Sequence, residues 1–172
     1  SDLYDPRFRD GISVAAGDFN KNGHADIITA PGPGGGADVR IYTDGNMTQM
    51  KAFLVTSPEY RSGLSVAAGD VNADGTLDLI LGTEQGEPIV TVSTVGNTTL
   101  TTERIITPYG RFTGGTRVGT LTRIDGTISI TTGAGPGGGP HVRVLNGNTG
   151  QPQLDFLAFD TTFEGGVNVS VS

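Results

Sequence analysis

The sequence contains no cysteine, which excludes disulfides, thiolate catalysis and cysteine-type zinc sites and leaves the redox compartment open. Tryptophan is also absent and tyrosine occurs only 4 times, so there is little material for the aromatic platforms on which sugars stack. His24 and His141 are the only histidines, too few for a zinc site made of histidine alone. Charge is scarce and one-sided: 11 basic against 18 acidic residues leave a net charge of −7, which argues against a nucleic-acid groove or an anionic membrane surface. No apolar run approaches the roughly 20 residues of a membrane span. Ser1 follows neither an initiator methionine nor a signal h-region, so the chain reads as a mature or excised piece. Glycine, by contrast, supplies 28 of 172 positions and proline 9, which excludes an ordinary helical bundle. The length suits about one domain with a real core.

The glycines fall in a repeat. Phe8-Arg9-Asp10-Gly11-Ile12-Ser13-Val14-Ala15-Ala16-Gly17-Asp18 returns 52 residues later as Tyr60-Arg61-Ser62-Gly63-Leu64-Ser65-Val66-Ala67-Ala68-Gly69-Asp70. Gly32-Pro33-Gly34-Gly35-Gly36 with Val39-Arg40 returns after 103 residues as Gly135-Pro136-Gly137-Gly138-Gly139 with Val142-Arg143. Phe8 to Gly11 is matched again by Phe163 to Gly166. The units are therefore 8–59, 60–111 and 112–162, with a partial fourth at 163–172. Inside them apolar residues alternate with polar ones, as at Ile128 and Ile130 or at Val167, Val169 and Val171, the pattern of strands with one buried face. Unit one is expected to hold strands near 11–17, 25–30, 38–43 and 50–55, separated by Gly, Asn, Asp and Pro clusters. Four short strands in about 50 residues is the signature of a β-propeller blade, and the fold class expected is all-β.

Between the first two strands of unit one lies Asp18-Phe19-Asn20-Lys21-Asn22-Gly23-His24-Ala25-Asp26, and in unit two Asp70-Val71-Asn72-Ala73-Asp74-Gly75-Thr76-Leu77-Asp78. Both read D-x-N-x-[DN]-G-x-x-D. Calcium takes six to eight oxygens, and oxygen side chains at loop positions 1, 3 and 5 converge when a glycine at position 6 permits a sharp turn. Position 7, His24 or Thr76, then offers a backbone carbonyl, and Asp26 or Asp78 closes the set at position 9. Asx-rich, glycine-containing segments also form plain turns, but two copies in register favour Ca2+ at two sites. Magnesium, which retains several waters and needs few protein ligands, suits the loops less well. Unit three offers Thr120-Leu121-Thr122-Arg123-Ile124-Asp125-Gly126-Thr127-Ile128-Ser129 in the same place. It lacks the ligand set and keeps Asp125-Gly126, a pair suited to a tight hairpin.

These features resemble FG-GAP repeats, the calcium-binding blades of integrin α-subunit propellers and of many bacterial extracellular proteins, also described as VCBS repeats. The residues carrying the resemblance are the aromatic-x-x-Gly openings at Phe8, Tyr60 and Phe163, the Ser-Val-Ala-Ala-Gly-Asp segments at 13–18 and 65–70, the two Asp/Asn loops, and Ala30-Pro31. The resemblance implies a β-propeller with calcium in the loop between the first two strands of each competent blade. Unit two departs from the pattern with Gly82-Thr83 in place of Ala30-Pro31, and unit three lacks the metal loop.

Other motifs have plainer readings. The two Gly-Pro-Gly-Gly-Gly runs could cradle phosphate, yet no Gly-Lys-Ser/Thr follows and no helix is expected to receive the anion; flexible inter-strand loops are expected. Gly63-Leu64-Ser65-Val66-Ala67 superficially resembles a nucleophile elbow, but its twin around Ser13 lies in a strand. Sequons at Asn46, Asn97 and Asn168 are what chance gives a chain rich in Asn and Thr. The expectation is a non-enzymatic, calcium-binding scaffold or adhesion module, extracellular or at the cell surface, with a protein or glycan ligand and no membrane insertion. The alternatives are a fragment of a secreted hydrolase or lyase, or a carbohydrate-binding module. Three blades are fewer than the four to eight of a ring, so self-association or association with further repeats is expected.

Overall fold

The computed structural model describes residues 4–5, 7–43 and 48–170, and Asn46 of the first sequon lies outside them. Blade one contains β1 (Ile12–Gly17), β2 (Asp26–Pro31), β3 (Asp38–Thr43) and β4 (Thr48–Leu54). Blade two contains β5 (Leu64–Gly69), β6 (Asp78–Thr83), β7 (Val90–Val95) and β8 (Leu100–Ile106). Blade three contains β9 (Thr116–Thr122), β10 (Ile128–Ala134), β11 (His141–Asn146) and β12 (Pro152–Leu157). Each blade is a four-stranded antiparallel sheet with its strands in sequence order. Among the described residues no helix is long and apolar enough to cross a membrane.

The blades stack through their faces, as the period-2 alternation requires. Ile28, Ala30, Val39, Ile41 and Phe53 of blade one bury against Leu64, Val66, Leu79 and Leu81 of blade two. On the opposite face of blade two, Ile80, Val90 and Val92 meet Val118, Ile130 and Leu145 of blade three. The central strands β2, β6 and β10 are buried almost throughout, because each lies between two neighbours within its sheet and against an adjoining blade.

The aromatic-x-x-Gly openings are blade junctions. Gly63 has φ +77°, and a Cβ there would stand 2.4 Å from Pro33 N and 2.6 Å from Gly32 C. Gly115, at φ +71°, would bring a Cβ within 2.3 Å of Thr83 O. No side chain fits either place. The junction is sealed by one bond that recurs: Gly34 N–H to Arg61 O at 2.7 Å, Gly86 N–H to Thr113 O at 2.9 Å and Gly137 N–H to Glu164 O at 2.9 Å. The Gly-Pro-Gly-Gly-Gly segments are thus packed turns pinned to the next blade. The flexible loops expected of them are not what the structure holds, since Gly35 leaves only 2.4 Å between a would-be Cβ and Pro31 Cβ. The third unit opens on Phe112-Thr113-Gly114-Gly115, a further aromatic-x-x-Gly junction beside those at Phe8, Tyr60 and Phe163.

Residues 163–170 follow the opening of a further unit. Val167 N–H donates to Ala134 O at 2.8 Å and Val167 is buried. The segment lines a central cavity of about 510 Å³ together with β1, β5 and β9. It takes the place of a first strand but has no ladder partner among the described residues.

A tyrosine clamps the second and third strands of blades one and three. The Tyr109 hydroxyl lies 2.7 Å from Thr132 O and 3.2 Å from His141 O, with the Arg143 guanidinium 5.4 Å above its ring. Tyr4 repeats this with Thr29 Oγ1, Asp38 O and Arg40. Burial pushes both phenols up to about 12.

The two ends of the stack differ from its interior. Val14 of β1 is 61% exposed, whereas its equivalent Val66 in β5 is 5% exposed. At the far end Phe156 is 44% exposed where Phe53 of blade one is 6% exposed, and Leu154 and Phe159 are exposed beside it.

Candidate cation-binding loops

The two Asp/Asn loops join β1 to β2 and β5 to β6, and they share the same set of bonds from backbone N–H groups to Asx side chains. Asp18 accepts the Asn22 N–H at Oδ1 (3.1 Å) and the Gly23 N–H at Oδ2 (2.8 Å). Asp70 accepts the Asp74 and Gly75 N–H groups at 3.0 and 2.8 Å. Asn20 Oδ1 accepts the Asn22 N–H at 3.0 Å, and Asn72 Oδ1 accepts that of Asp74 at 3.0 Å. At position 5, Asn22 Oδ1 accepts the His24 N–H (2.8 Å) and Asp74 Oδ1 that of Thr76 (2.7 Å). At position 9, Asp26 Oδ2 and Asp78 Oδ2 each accept the N–H of position 2 at 3.1 Å. This nest of Asx bonds explains why residues of that type recur at fixed positions.

Backbone geometry is shared too. Gly23 and Gly75 have φ +88° and +82°, the left-handed turn expected of position 6. Lys21 and Ala73 at position 4 are also left-handed, at +59° and +60°. They are the only non-glycine residues with positive φ among the described ones, and such strain persists where surrounding bonds over-determine it.

The loops differ in charge. Asp26 and Asp78 are both fully buried at the entry to the second strand. Asp26 Oδ1 has the Asn20 amide at 3.4 Å, whereas Asp78 Oδ1 is buried with no hydrogen-bond partner. Burial drives the Asp78 carboxyl up to about 6, against the Val71 N–H bond that lowers it, and Glu103, Asp74 and Asp70 add to the rise. Asp74 is held below the usual carboxylate range, first by the Thr76 N–H and then by the Asn72 amide, with Lys21 of the neighbouring loop contributing.

Glu103 is the participant that sequence reading missed. It comes from β8, and its Oε2 lies 3.4 Å from Asn72 Nδ2, which also donates to Asp74 Oδ2 at 3.0 Å. Thr94 Oγ1 donates to the other carboxylate oxygen. No sequence signal marks it, because it is the extra residue of the β7–β8 bulge, where Val92 pairs with Arg104 but Ser93 pairs with Thr102.

Among the described residues no three His, Cys, Asp or Glu side chains stand close enough together to hold a metal ion by themselves. Asp18, Asp70 and Asp74 are turned onto loop amides, and any complete donor set draws on Asn20, Asn22, Asn72 and the carbonyls of position 7. The chemistry fits a hard cation nonetheless: the donors are all oxygen, and loop two buries a carboxylate oxygen that nothing in the chain satisfies. In unit three, Arg123 N–H donates to Thr127 O (2.8 Å) and Gly126 N–H to Arg123 O (2.9 Å), and Asp125 Oδ1 takes the Thr127 N–H. This is the tight turn that Asp125-Gly126 led one to expect. His141 opens β11 on the surface with Nδ1 3.3 Å from Asp155 Oδ1.

Both loops, strands β2 to β5 and most of β6 fall within residues 18–81, which match the FG-GAP-like repeat family. The match starts on Asp18, the first residue of loop one, and ends on Leu81 of β6, beyond the last residue of loop two. The FG-GAP-like pattern therefore covers both acidic loops, while the family match does not extend over the short turn of blade three. No curated protein matches the chain.

Proposed function

We propose that the chain is a non-enzymatic, calcium-binding β-propeller module of an extracellular protein, serving as a scaffold or adhesion domain for a protein or glycan ligand. The observation that carries this reading is the buried, unpartnered Asp78 Oδ1 inside a loop that repeats the geometry of loop one. Asp18, Asn20, Asn22, Asp26 and the His24 carbonyl would hold one ion; Asp70, Asn72, Asp74, Asp78 and the Thr76 carbonyl would hold the other. The ion's chemistry here is charge neutralisation and loop ordering. Binding to the folded state stabilises it by about 2.7 kcal/mol at 100-fold excess over Kd. Melting curves in millimolar calcium are expected above those in EDTA, and superimposable curves would end the reading.

The module's partners include further blades or copies of itself. Support comes from the exposed Ile12 and Val14 at one end and Leu154 and Phe156 at the other, at positions that are covered between neighbouring blades. Light scattering is expected to give a mass above 17.7 kDa, and a monomer at high concentration would count against it.

A further inference from the structure

All three blades carry the same bulge between their third and fourth strands, and the extra residue is Met50 in blade one, Glu103 in blade two and Gln153 in blade three. Register also aligns the residues entering the second strand: Asp26 pairs with Gly17, Asp78 with Gly69 and Ser129 with Leu121. Each blade thus has an entry position and a bulge position at the edge of its first loop.

In blade three these two positions share a cation that belongs to the chain. Arg123 Nε donates to Ser129 Oγ at 2.8 Å, and Arg123 Nη2 donates to Gln153 Oε1 at 2.8 Å. Ser129 Oγ and Gln153 Oε1 are themselves 3.2 Å apart. In blade two the same positions are both carboxylates, Asp78 and Glu103. Neither forms an ion pair among the described residues. Asp78 is fully buried with Oδ1 unsatisfied, and Glu103 reaches the Asn72 amide inside the loop. Asp78 is buried while Glu103 is exposed at the rim of the loop; a buried carboxylate without a partner is costly, and a cation beside it offsets that cost.

We propose that Glu103 extends the blade-two cation site beyond its loop, and that with Asp78 it holds a divalent cation where blade three keeps the Arg123 guanidinium. The proposal rests on the calcium reading above and adds to it a residue outside the loop, on a strand 25 positions beyond Asp78. Blade one has an uncharged residue at the bulge and only Asp18 and Asp26 as loop carboxylates. Blade two thus carries more negative charge around its loop than blade one, and its site is expected to be the tighter, since calcium affinity follows ligand charge.

Calorimetric titration of the full chain with calcium chloride tests this, using wild type, Asp70→Ala, Glu103→Gln and Glu103→Asp, with circular dichroism in EDTA as the folding control. Asp70→Ala is expected to lose the tighter site. Glu103→Gln is expected to weaken that site about tenfold, equivalent to about 1.4 kcal/mol, and to leave the weaker site unchanged. Glu103→Asp, which keeps the charge, retains more of the affinity. If Glu103→Gln titrates like wild type while Asp70→Ala loses a site, the role of Glu103 is overturned and the calcium reading stands. Equal losses in Glu103→Gln and Glu103→Asp would assign the effect to shape and overturn it as well. A wild-type chain that takes up no calcium removes both.

Discussion

Loop two and the turn of blade three join equivalent strands in equivalent sheets, yet one is a nine-residue acidic nest and the other a tight turn held by an arginine. The sheet accepts either, because the register of β5 with β6 and of β9 with β10 is fixed by the faces the strands bury, and a one-residue slip would turn those faces outward. The difference at the junction is electrical: blade two has carboxylates at the entry and bulge positions, Asp78 and Glu103, whereas Ser129 and Gln153 of blade three bind the Arg123 guanidinium. On the calcium reading proposed above, blade two is expected to respond to calcium and blade three, which carries its own positive charge, is not.

Four substitutions break or sharpen this contrast. The largest effect is expected of Asp78→Asn in calcium, where the binding contribution of loop two, on the order of 2.7 kcal/mol at 100-fold excess over Kd, disappears. In EDTA the same variant melts no lower than wild type, because the amide oxygen still accepts from Val71 and a buried charge is gone. Arg123→Ala comes next, losing charge-assisted bonds to Ser129 and Gln153 and destabilising by about 2 kcal/mol. Its loss is the same with calcium or EDTA; a loss that calcium restores would contradict the contrast.

Tyr109→Phe has a smaller effect, about 1 kcal/mol, and a distinctive pH profile. The folded phenol holds its proton up to about 12 while the unfolded one releases it near 10.0. Its contribution is therefore fully present below pH 10 and is lost as pH rises towards 12. Melting temperature against pH is expected to fall less steeply over that window in the variant than in wild type. The smallest effect is Asp125→Ala, which removes the exposed bonds to the Thr127 N–H and hydroxyl and lowers the melting temperature by less than Arg123→Ala.

Much of this was legible in the chain, for specific reasons. Loop residues that must each cap a particular amide recur at fixed spacing, so Asp18 to Asp26 and Asp70 to Asp78 stood out by position alone. The strands followed from alternation, and β3 over Asp38–Thr43 coincides with its expected range. Glu103 was not legible, because the bulge adds one residue to β8 and breaks the period that would have aligned it with the loop. Phe112 to Gly115 escaped notice because little around it repeats, although its backbone bond to Gly86 is the same as its sisters'. The glycine turns at 32–36 and 135–139 misled for a related reason: composition suggests freedom, and only the fold shows that the opening of the same unit, Phe8 to Gly11 or Phe112 to Gly114, leaves no room for a side chain at Gly32, Gly35, Gly135 and Gly138.

The recurring bond from the glycine turn of one blade to the opening of the next has a mechanical consequence. It ties each sheet to the chain that leads into its successor, so the load-bearing unit straddles two blades. Among the described residues, a pull on the last segment would meet the Val167 to Ala134, Gly137 to Glu164, Phe163 to Asp160 and Ala158 to Pro140 backbone bonds before reaching β12. The last segment would peel away first at low force, and each inner blade would then yield in a separate, larger step as its whole buried face parted from the one before it.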